Sequence, residues 1–139
     1  MFRLFIAAIV LGLPTSVNGS NGSVFDAHFA QCGSGKRVTC IVDGDTFWLN
    51  GTKIRIADIN TPEVSHAACS AERDLGHKAT SRMRDLLNSA PFTVERGGRD
   101  EDRYGRKLRI ISRDGVSLGS LLVDEGLAEP WTGRRRNWC

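Results

Sequence analysis

Three short runs and one arginine combine residue types that could do chemistry: Asp43-Gly44-Asp45-Thr46, then Arg55, then Asn60-Thr61-Pro62-Glu63, then Asp102-Arg103-Tyr104-Gly105-Arg106. Taken singly, each has an ordinary explanation. Asp-Gly-Asp commonly makes a solvated turn, a strand arginine commonly makes a surface ion pair, and Thr-Pro-Glu commonly opens a loop or helix. Taken together they are more demanding. Carboxylates beside a carbonyl-rich loop can supply oxygens to a hard cation such as Ca²⁺, which takes six to eight of them at about 2.3–2.6 Å. Two arginines can clamp a phosphate through bidentate hydrogen bonds and offset charge as it develops. A remaining carboxylate can take the proton from an attacking water. These are the parts needed for metal-assisted phosphodiester hydrolysis.

The elements that must position these residues can be read from the period of the apolar pattern. Residues 37–42 and 46–49 are short β-prone runs, and Asn50-Gly51 is a hairpin turn signal before residues 53–57. In that third run Ile54 and Ile56 alternate with Lys53 and Arg55, the period of a half-buried strand. Over residues 71–88 the period changes, and Leu75, Ala79, Met83, Leu86 and Leu87 fall on one helical face, with Ser70 able to cap the start and Gly76 an interior weak point. Pro91 ends that helix. Residues 92–95 read as a fourth strand, 97–105 as a charged loop, 107–112 as a fifth strand, Asp114-Gly115 as a turn and 117–126 as a short helix. Three strands, a helix, two strands and a helix lack the alternation of a parallel α/β sheet. The pattern predicts an α+β fold, a five-stranded OB-fold β-barrel with two or three helices packed outside.

The chain has 139 residues, 40% hydrophobic and 25% charged, values that exclude a disordered polyelectrolyte, a collagen-like repeat and a multi-pass membrane protein. A net charge of +3 is compatible with a polyanionic partner and too mild to indicate one. Arg3 precedes an apolar run over residues 4–13 and a small-residue site at Val17 and Gly19, the form of a signal peptide and too short to span a bilayer that needs about twenty residues. The expected division is residues 1–19 as signal peptide, 20–35 as a Gly/Ser/Asn-rich flexible leader and 36–139 as the folded domain. A secreted or periplasmic location follows, with no membrane association after signal removal and a monomer expected. Four cysteines in an exported chain favour disulfides, with three possible pairings. Cys32 with Cys40, closing a short loop, and Cys69 with Cys139, pinning residue 139 to the middle of the fold, are the pairings expected. Zinc is disfavoured by spacing, since no C-x-x-C or H-x-x-x-H occurs.

From residue 36 to 131 the sequence resembles the thermonucleases, or staphylococcal nuclease-like domains. The resemblance runs through Val42-Asp43-Gly44-Asp45-Thr46, Ile54-Arg55-Ile56 with Thr61-Pro62-Glu63, Asp102-Arg103-Tyr104-Gly105-Arg106, and the Glu125-Gly126-Leu127-Ala128 ending. It implies a calcium-dependent, sugar-nonspecific endonuclease that cuts single-stranded or exposed DNA and RNA and leaves 5′-hydroxyl and 3′-phosphate ends. By the same resemblance Asp45 would be a direct calcium ligand, Thr61 would give its backbone carbonyl and Asp43 would support the metal through water. Glu63 would orient or deprotonate the attacking water, Arg55 and Arg106 would bind the scissile phosphate, and Tyr104 would pack against the nucleotide end of the pocket.

Two departures from the family stand out. Asn60 occupies a position that usually holds a second aspartate ligand, which implies weaker calcium binding because affinity follows ligand charge. Asp58 is near enough in sequence to compensate in part, although a structural role suits it better. Where the family continues into a further helix, this sequence has residues 131–139, and a Cys69–Cys139 disulfide would offset the missing packing. Arg134, Arg135 and Arg136 with Trp131 and Trp138 read either as a nucleic-acid strip or as a solvated tail. The rival to an enzyme is a non-catalytic OB-type nucleic-acid-binding or scaffold domain with a weakened metal site.

Overall fold

The computed structural model describes residues 22–139, so the expected signal peptide lies outside the described residues. In chain order the elements are β1 (Ser23–Phe25), β2 (Ala30–Gln31), β3 (Cys40–Asp43), β4 (Thr46–Leu49), β5 (Thr52–Ile56), β6 (Ile59–Asn60), α1 (Ser70–Ser89), β7 (Phe92–Glu101), β8 (Lys107–Arg113), β9 (Val116–Ser117), α2 (Leu118–Asp124) and β10 (Glu129–Pro130). One mixed sheet runs β1-β7-β8-β5-β4-β3-β2, with β9 on β8, while β6 and β10 pair separately. The β5–β8 and β2–β3 pairs are parallel and the others antiparallel. The sheet curls into a half-barrel with the two helices, an α+β arrangement of OB-like kind.

Burial of one face of each element explains the assembly. Ala79, Met83, Leu86 and Leu87 of α1 join Ile41, Phe47, Ile54, Ile56 and Ile111 of the sheet and Leu118 and Leu122 of α2 in a single core. Each such Leu, Ile, Phe or Met side chain fully removed from water contributes roughly 1.5–3 kcal/mol. Leu75, at the edge of the helical stripe, is only half-buried. The Asn50-Gly51 turn joins β4 to β5 with Leu49 opposite Thr52, the register of a two-residue turn.

Among the described residues, five of ten strands, β3, β4, β5, β7 and β8, overlap the five runs read from sequence; the rest are two- or three-residue pieces that the period could not reveal. Three expectations are corrected. Residues 22–35 belong to the fold: Phe29 is fully buried, edge-on to Phe47 at 5.4 Å, and both its backbone polar groups are held by the Asn88 side chain at 2.7 and 2.9 Å. The Gly/Ser/Asn composition concealed this one aromatic anchor and the pairing of β1 with β7. The loop expected over 97–105 is strand as far as Glu101, because its charges pair along the strands: Arg109 to Asp100 at 2.8 Å and Lys107 to Asp100 at 3.1 Å. The cap of α1 is Cys69, whose Sγ accepts the Glu72 N–H at 3.4 Å, and Ser70 is the first helical residue.

The cysteines pair as Cys32–Cys40 and Cys69–Cys139, the second fastening Cys139 to the start of α1. Closing a longer loop removes more freedom from the unfolded chain. Replacing Cys69 and Cys139 together by serine is therefore expected to lower the unfolding free energy in urea by about 2–4 kcal/mol. That loss should exceed the one from the Cys32/Cys40 double serine variant, whose sequence separation is 8 rather than 70. Equal losses would contradict a loop-closure origin.

Candidate active site

The site begins where β3 meets β4. A register shift between Ile41 and Asp43 bends the strand, and the tight Asp43–Thr46 pairing sets Asp43 and Asp45 side by side, with the Asp45 N–H on Asp43 Oδ1 at 3.3 Å. Asp45 is buried and held by three contacts. Thr46 Oγ1 donates to its Oδ1 at 2.9 Å, the Thr61 N–H donates to its Oδ2 at 3.2 Å, and Arg55 Nη2 lies 3.3 Å from Oδ2. Arg55, expected by default to be a surface ion pair, is instead buried at 8% exposure. Its strand face is covered because the segment after β5 folds back over it: Arg55 Nη1 donates to the Ile56 and Ile59 carbonyls, and the Trp131 ring lies 5.9 Å from the guanidinium. A pair of opposite charges buried this well needs further hydrogen bonds to hold it, and Thr46, Thr61 and the Ile56 and Ile59 carbonyls supply them here.

Glu63 is positioned by its backbone. Its N–H donates to Glu72 Oε2 at 3.0 Å, and the Ala68 N–H donates to Glu72 Oε1 at 3.0 Å, so one buried carboxylate from the first turn of α1 holds both ends of the intervening loop. The hydrogen bonds from Ala68 and Glu63 keep the Glu72 pKa below its ordinary value. The loop also lies on the helix itself. A Cβ at Gly76 would come within 2.6 Å of the Glu63 carbonyl oxygen, so the interior glycine that weakens the helix is what admits this loop. Gly44 similarly leaves room for Thr61, whose Cγ2 would sit 2.8 Å from an added Cβ.

Arg106 comes from the turn before β8. Asp102 Oδ2 accepts its Nε at 2.6 Å, while Asp102 Oδ1 accepts the backbone N–H groups of Arg106 and Tyr104 at 3.0 and 2.9 Å. Burial disfavours the charged form of Asp102, but these hydrogen bonds outweigh it and hold the pKa low. Tyr104 is exposed, its ring 4.8 and 5.6 Å from the guanidinium carbons of Arg103 and Arg106.

Asp43, Asp45, Arg55, Glu63, Tyr104 and Arg106 line one cleft of about 490 Å³, together with Lys53, His66 and Arg135. Asn60 and Thr61 line a neighbouring cleft of about 240 Å³, which shares Glu63, His66 and Arg135. Asn60 is turned toward the segment near β10, its Nδ2 donating to Glu129 Oε1 at 3.0 Å. Asp58 is structural, accepting from Ser117 Oγ at 2.6 Å. Among the described residues no group of three or more His, Cys, Asp and Glu side chains is placed to hold a metal ion. The donors that remain are all oxygen, and two are crowded carboxylates. Burial, the neighbouring Asp45 charge and, least, Glu63 push the Asp43 pKa up to about 8. That is the electrostatic mark of a place short of positive charge, and the donor set fits a hard divalent cation completed by water.

Sequence reasoning did not single out Glu72 or Glu129 and gave Arg135 no partner. Glu72 carried a signal, being an acid three residues past the Cys69 cap. Glu129 and Arg135 reach the site only through long-range pairing and had none.

The chain is similar to known proteins over much of its length. Residues 53–137 match the family described as staphylococcal nuclease homologue, a span that contains Arg55, Glu63 and Arg106 but begins after Asp45. Over 93 residues the chain is 37% identical to Endonuclease YncB of Bacillus subtilis, covering 63% of this chain and 43% of that protein. It is equally similar, 37% over 93 residues, to the SPbeta prophage-derived endonuclease YokF of the same organism, covering 63% of this chain and 31% of that one. The aligned part thus spans less than half the length of either relative.

Because its folded pKa lies below 4.5, Glu72 contributes stability that is complete above that pH and is lost as pH falls through the folded value. Glu72→Gln is expected to unfold at lower temperature than the parent at pH 7, with the gap closing as the pH drops below 4.5. The same gap at pH 7 and near pH 3 would contradict a role for the ionised carboxylate.

Proposed function

The chain belongs to the staphylococcal nuclease family, and on that premise we propose that it is a calcium-dependent endonuclease hydrolysing phosphodiester bonds in DNA and RNA. The observation that carries this reading is the convergence of Arg55, Arg106 and Glu63 on one cleft floored by the Asp43 and Asp45 carboxylates. Asp45 and Asp43, with the Thr61 carbonyl and Asn60 nearby, would hold the calcium. Bound there, the cation would supply Lewis acidity and a fixed positive charge beside the phosphate.

The chain's own groups carry the remaining steps. Arg55, immobilised by Asp45 and two carbonyls, meets the phosphate with no conformational freedom left to lose, which is the condition for stabilising charge that appears only in the transition state. Arg106, aimed by Asp102, clamps the same phosphate from the opposite strand turn. Glu63 accepts a proton from the attacking water as the new P–O bond forms. The bond to the 5′ oxygen then breaks, that oxygen takes a proton from solvent, and a 3′-phosphate and a 5′-hydroxyl remain. Tyr104 borders the cleft where a base or sugar would lie. The two disulfides suit an oxidising compartment, in keeping with a secreted or periplasmic enzyme. Among the described residues no helix is long and apolar enough to cross a membrane.

Denatured DNA should be cut when calcium is titrated in and spared when it is chelated. Glu63→Gln is expected to lower kcat by about 10²–10⁴-fold, the usual worth of a positioned base. Asn60→Asp should reduce the calcium needed for half-maximal rate, since it restores a ligand charge. No cleavage at millimolar calcium would favour a non-catalytic nucleic-acid-binding domain instead, and cleavage untouched by Glu63→Gln would remove Glu63 from the role of base.

A further inference from the structure

Arg135 is the one arginine among the three side chains, with Glu63 and His66, that the two clefts share. It lines both, and its Nη1 donates to Glu63 Oε1 at 2.8 Å. The backbone around it is fixed on every side. β10 pairs with β6, the Trp131 N–H donates to the Asp58 carbonyl at 2.9 Å, the Arg136 N–H donates to Glu129 Oε1 at 2.8 Å, and Cys139 is bonded to Cys69. The side chain itself stays 63% exposed at the cleft mouth, and that of Glu63 26% exposed. Its neighbours in the basic run differ: Arg136 lines only the smaller cleft and stacks on Trp138 at 4.7 Å, and Arg134 lines neither.

We propose that Arg135 is a third phosphate-binding arginine of this site, delivered to it by the Cys69–Cys139 disulfide. The proposal rests on the nuclease reading and names a substrate contact within it. An ion pair this exposed contributes little, so exchanging its carboxylate for another anion costs little. A nucleic-acid phosphate offers two oxygens to the guanidinium fork and binds it at least as well as one carboxylate oxygen. The exchange has a second effect. It takes the guanidinium off Glu63 Oε1, freeing a lone pair on the carboxylate that must accept a proton from water. A strand lying across both clefts would thus have one phosphate between Arg55 and Arg106 and a neighbouring phosphate on Arg135.

The test uses a fluorescein-labelled single-stranded oligonucleotide, titrated by anisotropy in chelator, alongside steady-state cleavage in calcium. Arg135→Ala should weaken binding and raise KM about five- to tenfold and reduce the salt slope by about 0.7. Arg135→Lys should recover part of the loss, and Arg134→Ala should change each quantity less than twofold. The Cys69→Ser/Cys139→Ser variant keeps a good cap at residue 69 and should reproduce the Arg135→Ala loss, with no further loss when the two are combined. Arg135→Ala behaving like Arg134→Ala would overturn the proposal. So would faster cleavage with unchanged binding, which would make Arg135 a cover over Glu63. Binding without cleavage by the parent protein would defeat the nuclease reading alone, and the Arg135 comparison would still decide this one. Absence of both binding and cleavage would defeat both.

Discussion

The arrangement depends on two opposite charges placed where neither would survive alone. Asp45 and Arg55 are 6% and 8% exposed, and an unpaired ion at that depth costs several kcal/mol. Their pairing fixes the register of β4 on β5, with Thr46 opposite Arg55. A one-residue slip would strand both charges and turn Phe47 and Ile54 out of the core. It also dictates the path after β5, because the second guanidinium nitrogen is satisfied only if the Ile56 and Ile59 carbonyls fold back to meet it. The Thr61 N–H then falls on Asp45, and the loop that carries Glu63 starts from a defined point.

From there the site is assembled by attachment rather than by sheet. Glu72 holds the Glu63 loop at both ends, Gly76 lets it lie on α1, and the disulfide at Cys69 brings the last residues across the same helix terminus. The cap of α1 is therefore a junction of three features: the helix start, the loop with the proposed base, and the segment with Arg135. One side of the cleft is rigid strand, and the other is loop fastened at a few buried points. Precision of the proposed chemistry rests on those fastenings.

The strands and the main helix were legible because their apolar period is strong, and β4 was placed to the residue. The candidate cleft was legible because its motifs lie at strand ends, where short runs of charge and hydroxyl stand out from the pattern. What escaped was whatever depended on distant pairing. Phe29 sits in a polar segment with no period, and only the pocket made by Phe47, Phe92 and Asn88 gives it a place. The strand over 97–101 is written almost entirely in charge and glycine, and its partners come from β8. The burial of Arg55 also escaped, because alternation in sequence shows which face a side chain takes and not what later covers that face.

The central claim is that the Asp45–Arg55 pair acts as one unit. A double-mutant cycle on unfolding free energy, with Asp45→Asn, Arg55→Met and both together, tests it most directly. Each single change should cost about 3–5 kcal/mol by leaving the other charge buried and uncompensated. The double variant should cost less than their sum by about 1–3 kcal/mol. Losses that add to within about 0.5 kcal/mol would contradict the account.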